Sequence, residues 1–504
     1  MATRKDQLDA FVFARRRMVA NLVVPTPTGS DEGAPRPVKT FFTSAILSAI
    51  AVAGVAVLGV FKPSAPGGWQ SGLAVDSSSG AAYVYSPQDK QLHPVVNITS
   101  ARLVLGSKFK KFDVPDSVIN GPGITIGAPL GILNAPPDVP AAGNVNLTQW
   151  TMCLQSKKAS DPTVSGGRTY LGIGYGPGAS TTVAPPHAAL FVHDDSGTNY
   201  MVSGDYAYPI DDNRVINPLT STAVGDHDSV GPWVSSTWLK AFTPGTSLKF
   251  PTVADVGKSL PSGFPDADGR VKHIGDYGQV IGSSGPQYYI ETDDGLVEVS
   301  QFVYTLYKAN PAITDAGATQ VNFISSDPAA LNPRNEQTTS TSLQEAGTNW
   351  PQSAVLAIDI SPFSVFCAAF SGSFDGNPAK LDIYYATALP WAASAGPGVE
   401  QASGPGYADF VQVLPGHGVL AREVSGGDSQ TGPIDLVTDT GARYPMAPTE
   451  TVTGLDDKTS QTSAQKQLQY DNVQVERIPD NWIQLLRRLG TLDPNNAGQP
   501  ATVD

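Results

Sequence analysis

The chain has 504 residues, a formal net charge of −14 at neutral pH and only two cysteines. Its length and cysteine count exclude a small disulfide-stapled domain, and its acidity argues against nucleic acid or anionic lipid as the partner of its bulk. Fifty glycines and 42 prolines, with charged residues at 15%, are typical of short strands joined by many turns.

The first forty residues predict a short cytoplasmic segment. Residues 4–24 are expected to form an amphipathic helix, because apolar residues recur at helical spacing. Arg15–Arg17 fit three roles: contact with lipid headgroups, a partner's groove, or topology alone. Residues 25–38 contain four prolines and two glycines, which is typical of a linker.

The stretch Phe41–Phe61 contains 21 residues without a charge. As a helix it is about 31 Å long, close to the roughly 30 Å of a bilayer core, so the sequence predicts one transmembrane helix. A cleaved signal peptide is the alternative, but the forty-residue leader is too long for one. The small residues Ala45, Ala49 and Ala53, four apart, favour packing against other membrane helices, although a plain tether has the same composition.

The charge distribution predicts the orientation. Residues 1–40 carry a net charge of +3, and no basic residue lies between Lys62 and Lys90. The N-terminus is therefore expected in the cytoplasm and residues 62–504, with a net charge of −17, outside it.

Four stretches of the outer region share the pattern of strand, Asp- or Gly-containing turn and second strand, so we expect four divergent copies of a hairpin–helix unit. A helical pattern follows two of them, at Asn97–Leu105 and Val299–Ala309. Further on, a strand that ends in proline precedes a short apolar helix, as in Val114–Val118 and Ile478–Trp482, with Phe250–Val253 and Asp327–Leu331 as weaker versions. The four hairpins are Ala82–Val95, Ala189–Val202, Gln287–Ser300 and Pro433–Met446.

Two further strands each carry a central cysteine: Leu147–Leu154 with Cys153, and Ser364–Phe370 with Cys367. Each is followed by another strand candidate, so a central β-unit built from two distant regions of the chain is expected. In an oxidising compartment the two cysteines are expected to pair, and two buried free thiols are the alternative.

The sequence motifs that would indicate catalysis, nucleotide binding or metal binding are incomplete. Val256-Gly257-Lys258-Ser259 matches the end of a phosphate-binding loop, but Thr252 stands where that loop needs a glycine. Asp195-Ser196-Gly197 and Asp439-Thr440-Gly441 are similar to aspartic protease loops, yet hairpin turns explain the same residues. The six histidines form no metal-binding pair. We therefore expect no catalytic residue, no metal and no cofactor.

Taken together, several motifs resemble the EccB family, a core membrane component of the type VII (ESX) secretion system of actinobacteria. The resemblance covers nearly the whole chain and is strongest in the first hairpin region. The motifs are Gln7-x-x-Ala10-Phe11-x-Phe13-x-Arg15-Arg16, Gly68-Trp69-Gln70, Tyr83-Val84-Tyr85, Leu92-His93-Pro94-Val95-x-Asn97-x-x-Ser100-Ala101-Arg102-Leu103, Leu436-Val437-Thr438-Asp439-Thr440-Gly441-x-Arg443-Tyr444-Pro445 and Leu492-Asp493-Pro494.

The resemblance implies a single-pass membrane protein whose large α+β, β-rich periplasmic domain has four repeats around a central β-domain, in quasi-twofold arrangement, with one disulfide. It implies self-association and assembly with EccC, EccD and EccE. The expected boundaries are 1–40 for the cytoplasmic segment, 41–61 for the transmembrane helix, 62–125 for the first repeat, 126–182 for the first segment of the central β-domain, 183–262 for the second repeat, 263–335 for the third repeat, 336–412 for the second segment of the central β-domain, 413–490 for the fourth repeat and 491–504 for a C-terminal tail.

Three functions follow as hypotheses. The first is a structural subunit of the secretion complex, anchored in the membrane. The second is an extracytoplasmic nucleotide hydrolase that uses Gly257, Lys258 and Ser259, since ATPase activity is claimed for the family. The third is a cell-wall-binding module, because repeated β-units that face a wall suit glycan binding.

Overall fold

The structure is a computed structural model, and it describes residues 3–23, 42–52, 65–155, 167–178, 181–220, 230–260, 271, 273–322, 343–344, 347, 349–358, 365–371, 380–391, 396, 398–401, 406–425, 432–447 and 463–501. The chain divides into two compact units. One comprises residues 1–67, 76–79 and 113–122, and the other comprises residues 68–75, 80–112 and 123–504.

The first unit contains the predicted N-terminal helix, which spans Arg4–Val23. Its large apolar side chains are exposed, with Phe11 at 66% and Leu22 at 87%. Arg15 lies on the same stripe of the helix as Leu8 and Phe11, at i+7 and i+4, so a basic residue interrupts the expected apolar face. A second short helix of this unit covers Asp116–Ile119.

Of the predicted span Phe41–Phe61, residues 42–52 are helical, and the other residues lie outside the described ranges of the chain. No helix in the described ranges has both the length and the apolar character needed to cross a bilayer.

Four outer sheets, which we number along the chain, belong to the second unit except for residues 76, 113 and 114 of outer sheet 1. Each has a run of three consecutive antiparallel strands with further strands at its edges. Outer sheet 1 has the order β3-β2-β1-β4, with β1 Leu73–Asp76, β2 Ala82–Ser86, β3 Gln91–Pro94 and β4 Lys111–Val114. Outer sheet 2 has the order β11-β10-β9-β8-β18, with β8 Ala188–His193, β9 Asn199–Ser203, β10 Tyr206–Pro209, β11 Thr243–Pro244 and β18 Leu356–Ala357.

The third and fourth outer sheets have the same meander. Outer sheet 3 has the order β15-β14-β13-β16, with β13 Tyr277–Gly282, β14 Gly285–Thr292, β15 Gly295–Val299 and β16 Gln320–Asn322. Outer sheet 4 has the order β26-β23-β24-β25-β27, with β23 Gly418–Val424, β24 Ile434–Thr438, β25 Ala442–Pro445, β26 Glu476–Pro479 and β27 Arg487–Arg488. A two-stranded sheet pairs β12 Thr252–Val253 with β17 Leu343–Gln344.

A helix follows each meander. These helices are Ile98–Leu105, Ile216–Thr220, Gln301–Ala309 and Ser463–Gln467. Strands beyond the helix then return parallel to the meander: β16 pairs with β13, and β26 with β23. The other short helices are Ser236–Leu239, Pro311–Asp315, Asp480–Ile483 and Pro494–Ala497, and the 3₁₀ turns are Trp69–Ser71, Gly106–Lys108, Ala142–Asn144 and Asn213–Val215.

The turn of the first hairpin contains no glycine. Lys90 takes a left-handed backbone with φ of 60°, whereas the corresponding turns of outer sheets 2 and 4, between the second and third strands of the meander, use Gly204 and Gly441. The imidazole of buried His93 supports this turn, because its Nε2 lies 2.8 Å from a carboxylate oxygen of Asp89. The side-chain contact accompanies a conformation that is unfavourable for lysine.

The central sheet has seven strands in the order β21-β22-β6-β5-β19-β20-β7. It joins two distant regions of the chain, because β5 pairs antiparallel with β19 from Gln149↔Ser371 to Gln155↔Val365. Both middle strands are predominantly apolar, which is typical of strands buried on both faces. The strands are β5 Gln149–Gln155, β6 Arg168–Ile173, β7 Thr182–Val183, β19 Val365–Ser371, β20 Asp382–Ala386, β21 Val399–Glu400 and β22 Phe410–Val413.

The largest apolar core lies on one face of the central sheet. Trp150, Met152 and Leu154 of β5 alternate toward this face, as the two-residue period of a strand requires. They belong to one buried cluster with Leu190 of outer sheet 2 and Val437 of outer sheet 4. Outer sheets 2 and 4 therefore share a core with the central sheet.

Two predicted boundaries differ from the structure. Residues 491–504, expected as a tail, belong to the fold through residue 501: Leu492 pairs with Met446, and Pro500 with Leu130. Residues 126–130, assigned to the central β-domain, pair in parallel with the end of the first hairpin, at Leu92↔Ile126 and Val95↔Leu130. Leu492 belongs to a buried cluster that joins outer sheet 4 to Leu103 of the helix after outer sheet 1, so the C-terminal segment is held by contacts that local sequence does not reveal.

Leu492→Ala should lower the free energy of unfolding by about 2–4 kcal/mol, because Leu492 is fully buried and the substitution leaves a cavity. Leu133→Ala is the matched control, since Leu133 is 47% exposed, and it should cost less than about 1 kcal/mol. Denaturant unfolding monitored by tryptophan fluorescence measures both. Equally small losses of stability in the two variants would contradict the packing of the C-terminal segment.

Candidate functional site

The two cysteines meet across the middle of the central sheet. Cys153 of β5 and Cys367 of β19 are direct register partners and form a disulfide, 214 residues apart in sequence. Both are fully buried, on the face opposite Met152 and Leu154. Tyr384 and Trp391 cover them on that face. The disulfide therefore locks the strand pair that joins the two halves of the central sheet.

A tryptophan seam joins outer sheets 2 and 4. We define it by Trp238, in helix Ser236–Leu239, and Trp482, in helix Asp480–Ile483, both buried and each at the third position of its helix. The indole N–H of Trp482 donates to the carbonyl of Ala241 at 2.8 Å. The side-chain amide of Asn481 donates to the carbonyl of Lys240 at 2.7 Å.

The seam is not symmetric. The carbonyl of Leu485 corresponds to that of Ala241, but it accepts the backbone N–H of Ala408 at 3.0 Å. Within the described ranges, the buried indole nitrogen of Trp238 has no hydrogen-bond partner. The two tryptophans thus fill similar positions with different polar contacts.

The sequence pattern predicted Ile478–Trp482 but missed its counterpart. The expected copy, Phe250–Val253, contains instead the short strand β12, which pairs with β17. The other weak copy, Asp327–Leu331, lies outside the described residues. The segment 233–239 occupies the equivalent place, since Trp233 pairs in parallel with His193 of β8 just before the helix that carries Trp238. The shared signal is a buried tryptophan three residues after the helix N-cap, which is Pro479 in the predicted copy and Ser235 in the missed one.

A buried ion cluster lies beside the seam. The Nη1 of Arg443 donates to Asp435 at 2.8 Å and to Glu423 at 3.3 Å. Burial raises the pKa of Asp435, and the neighbouring Arg443 opposes that rise. Two carboxylates therefore neutralise this guanidinium, which explains why a charged residue is tolerated at a site where only 12% of the side chain is exposed.

A cleft of about 1000 Å³ opens between outer sheet 2, outer sheet 4 and the central sheet. Its apolar walls include Leu239, Phe242 and Trp482, and Tyr407 contributes a further ring. Asp205 projects its carboxylate into the lining, where one oxygen accepts the backbone N–H of Leu381 at 2.6 Å. The volume is at the upper end for small-molecule pockets.

The partial phosphate-loop motif forms a different structure. Gly257 has φ of 84°, and its N–H donates to the carbonyl of Ile274 at 2.8 Å. The N–H of Lys258 donates to the carbonyl of Asp255 at 3.1 Å, and its ammonium pairs with the same residue's carboxylate at 2.8 Å. Ser259 pairs with His273 in an antiparallel bridge. These amides are already occupied and do not point into an open phosphate cradle.

None of the described residues of the remaining predicted sites is among the residues that line the cleft. Asp195–Gly197 and Asp439–Gly441 each form a hairpin turn, with Gly197 at φ of 84° and Gly441 at 77°. Ala45 and Ala49 share one face of the helix at residues 42–52, and Ala53 is outside the described residues. In the described ranges, no three His, Cys, Asp or Glu side chains are grouped to hold a metal ion.

A sequence model of one family, the type VII secretion system ESX-1 transport TM domain B (EccB), matches residues 1–501. The chain belongs to the EccB family. Among curated relatives, the ESX-3 secretion system ATPase EccB3 of Mycobacterium tuberculosis (strain ATCC 25618 / H37Rv) is 26% identical over 457 residues, covering 87% of this chain and 80% of the relative. The ESX-1 secretion system ATPase EccB1 of Mycolicibacterium smegmatis (strain MKD8) is 27% identical, covering 80% and 79%.

Solved structures show the same EccB fold. A chain of an intact ESX-5 inner membrane complex superposes with a TM-score of 0.63 at 20% identity, covering 100% of this chain and 96% of that chain. A chain of the EccB3 dimer from the ESX-3 core complex superposes with a TM-score of 0.62 at 22% identity, covering 85% and 99%. The β-rich α+β architecture is therefore that of the EccB periplasmic domain.

Replacement of both cysteines by serine in this EccB-family chain should lower the free energy of unfolding by about 2–5 kcal/mol, because the crosslink restricts the unfolded chain. Non-reducing peptide mapping of the unmodified protein should recover a crosslinked Cys153–Cys367 peptide. Free thiols at both positions would contradict the disulfide.

Trp482→Phe should destabilise the protein more than Trp238→Phe, by about 1 kcal/mol, because only the former removes an indole hydrogen bond, that to the carbonyl of Ala241. That carbonyl keeps a longer hydrogen bond of 3.3 Å from the side-chain amide of Asn481. The two substitutions remove the same atoms from equally buried sites, so each controls for the packing loss of the other. Urea unfolding of both variants measures the difference, and equal losses would show that the hydrogen bond of Trp482 adds nothing.

Proposed function

We propose that this EccB-family chain is a structural subunit of a type VII secretion membrane complex, which it anchors and stabilises through its periplasmic domain during protein export. The observation that carries the proposal is the family match over residues 1–501, the whole chain rather than one domain. Chains of the same fold occur in an ESX-5 inner membrane complex and in an EccB3 dimer.

The architecture supports a scaffold role. The disulfide and the two-sided burial of β5 and β19 make the centre rigid, and the outer sheets extend from it. We propose that the four outer sheets are copies of one hairpin–helix unit in quasi-twofold arrangement, with the domain boundaries given above adjusted at residues 126–130 and 491–501. The matching positions of Trp238 and Trp482 support this relation between the second and fourth repeats.

The membrane topology belongs to the same proposal. The span Phe41–Phe61 anchors the chain once in the inner membrane, with residues 1–40 in the cytoplasm and the bulk in the periplasm. The proposed partners are EccC, EccD and EccE together with further copies of this chain. Ala45, Ala49 and Ala53 would then let the span approach other membrane helices closely.

Purification of the tagged chain in mild detergent, followed by mass spectrometry, should recover EccC, EccD and EccE together with untagged copies of this chain. Ala49→Leu should reduce that recovery severalfold without changing membrane insertion, because the larger side chain blocks close helix approach. Leu47→Ile is the matched control in the same helix. Recovery of the chain alone as a monomer would overturn the structural role.

Nucleotide hydrolysis is the second candidate, because the curated relatives are named ATPases. Its proposed residues are Gly257, Lys258 and Ser259. ATP turnover by the full chain that is lost in Lys258→Ala but kept in Lys108→Ala, an exposed lysine elsewhere, would establish it. Equal turnover in both variants excludes this segment as the site.

A further inference from the structure

The cleft between outer sheets 2 and 4 is lined by side chains to which the structural role proposed above assigns no function. Its lining comes from outer sheet 2, from helix Ser236–Leu239, from outer sheet 4 with helix Asp480–Ile483, and from Leu381 and Tyr407, which precede strands β20 and β22 of the central sheet. Because the seam hydrogen bonds of Asn481 and Trp482 hold the two sides together, the cleft is preformed rather than a gap between loose domains.

The polar portion of the lining is negatively charged. Asp194, Asp205 and Asp480 contribute three carboxylates. The guanidinium of Arg443 is already paired with two carboxylates behind the wall, which leaves Lys240 as the cation in the lining without an ion pair among the described residues. The cleft therefore favours a positively charged ligand.

Asp205 is the carboxylate best placed to interact with a positively charged ligand. Its carboxylate makes one hydrogen bond within the described ranges of the chain, to the N–H of Leu381, although a carboxylate can accept about four. Burial raises the pKa of Asp205, and the hydrogen bond from Leu381 and the charge of the nearby Lys380 oppose that rise only in part, so the charged form is incompletely compensated. A cation in the cleft supplies the missing interaction.

The aromatic residues of the lining further restrict the kind of cation that fits the cleft. Tyr200 and Tyr407 are the partly exposed rings that border the same cleft as the carboxylates, whereas Phe242 and Trp482 are buried behind its surface. Ring faces attract cations, and a guanidinium stacks on them more readily than a hydrated ammonium does. Its planar donors also match a carboxylate better. The lining thus fits an arginine side chain better than a lysine or a small inorganic cation.

We propose that this cleft binds an arginine side chain presented by a polypeptide segment of a partner protein. The cleft volume of about 1000 Å³ is far larger than one guanidinium, so there is room for the flanking backbone. Ser236 and Gln484 supply neutral polar side chains for backbone groups. This proposal is independent of the structural role proposed above, because recovery of the membrane complex does not depend on the cleft.

The test is calorimetric titration of the full chain in nanodiscs with the capped peptide acetyl-Ala-Ala-Arg-Ala-Ala-amide and with its citrulline counterpart, which keeps the shape but lacks the charge. The arginine peptide should bind at least tenfold more tightly, and higher salt should reduce the difference. Equal binding of the two peptides, or no binding of either at millimolar concentration, would overturn the proposal.

Asp205→Asn should abolish the preference for arginine while keeping an acceptor for the N–H of Leu381, so the fold is preserved. Asp293→Asn, at an exposed hairpin turn of outer sheet 3, is the matched loss of charge and should leave binding unchanged. Asp480→Asn gives a second variant in the cleft if Asp205→Asn lowers the melting temperature. Unchanged arginine binding in both cleft variants would place the site elsewhere.

A photoreactive benzophenone on the same peptide locates the site directly. Crosslinks should map to the lining at Tyr200, Tyr407 or neighbouring residues, and Asp205→Asn should remove them. A peptidoglycan fragment serves as the competing probe. If that fragment binds in an Asp205-dependent manner and the arginine peptide does not, the cleft recognises cell-wall material and the polypeptide proposal fails.

Discussion

The pairing of β5 with β19 is the constraint on which the rest of this fold depends. The two strands come from regions of the chain 214 residues apart, and their side chains are buried on both faces of the sheet. One face forms the core shared with outer sheets 2 and 4, and the other holds the disulfide among aromatic rings. Without this pair, neither outer sheet would have the apolar surface against which it packs. The entropic cost of closing such a long loop explains why a covalent link at its centre is useful.

Outer sheets 2 and 4 are nearly equivalent around this centre, and the differences between them give the molecule its specific contacts. Trp238 and Trp482 occupy like positions in two like helices, yet only the second has a backbone acceptor for its indole among the described residues. Ala408 takes the acceptor on the other side. The loop that carries Ala408 also places Tyr407 in the wall of the cleft. The same departure from symmetry therefore changes the polar contacts of the seam and shapes the lining.

The EccB fold tolerates wide sequence change. Identities of 20% and 22% accompany TM-scores of 0.63 and 0.62 with two solved chains, so most side chains differ while the backbone persists. Patterning explains this tolerance, because a β-sheet core requires apolar residues of suitable volume at alternate positions rather than particular ones. Polar groups in the core are more demanding. The cluster of Arg443 with Asp435 and Glu423 must be present as a set, since loss of one partner leaves a buried charge uncompensated.

The sequence alone determined the features that depend on local order along the chain. The hairpins, the helices Ile98–Leu105 and Gln301–Ala309 and the cysteine-bearing strands follow from apolar periodicity and turn residues, and the structure has them within a few residues of the predicted bounds. The pattern did not predict the helices Ile216–Thr220 and Ser463–Gln467. The family could also be recognised, because its motifs are short and contiguous. Tertiary structure alone decided which strands meet, where residues 491–501 pack, and that Asp205, Lys240 and Trp482 line one cleft. Those contacts join residues hundreds of positions apart, and their energies depend on burial and geometry that no local pattern encodes.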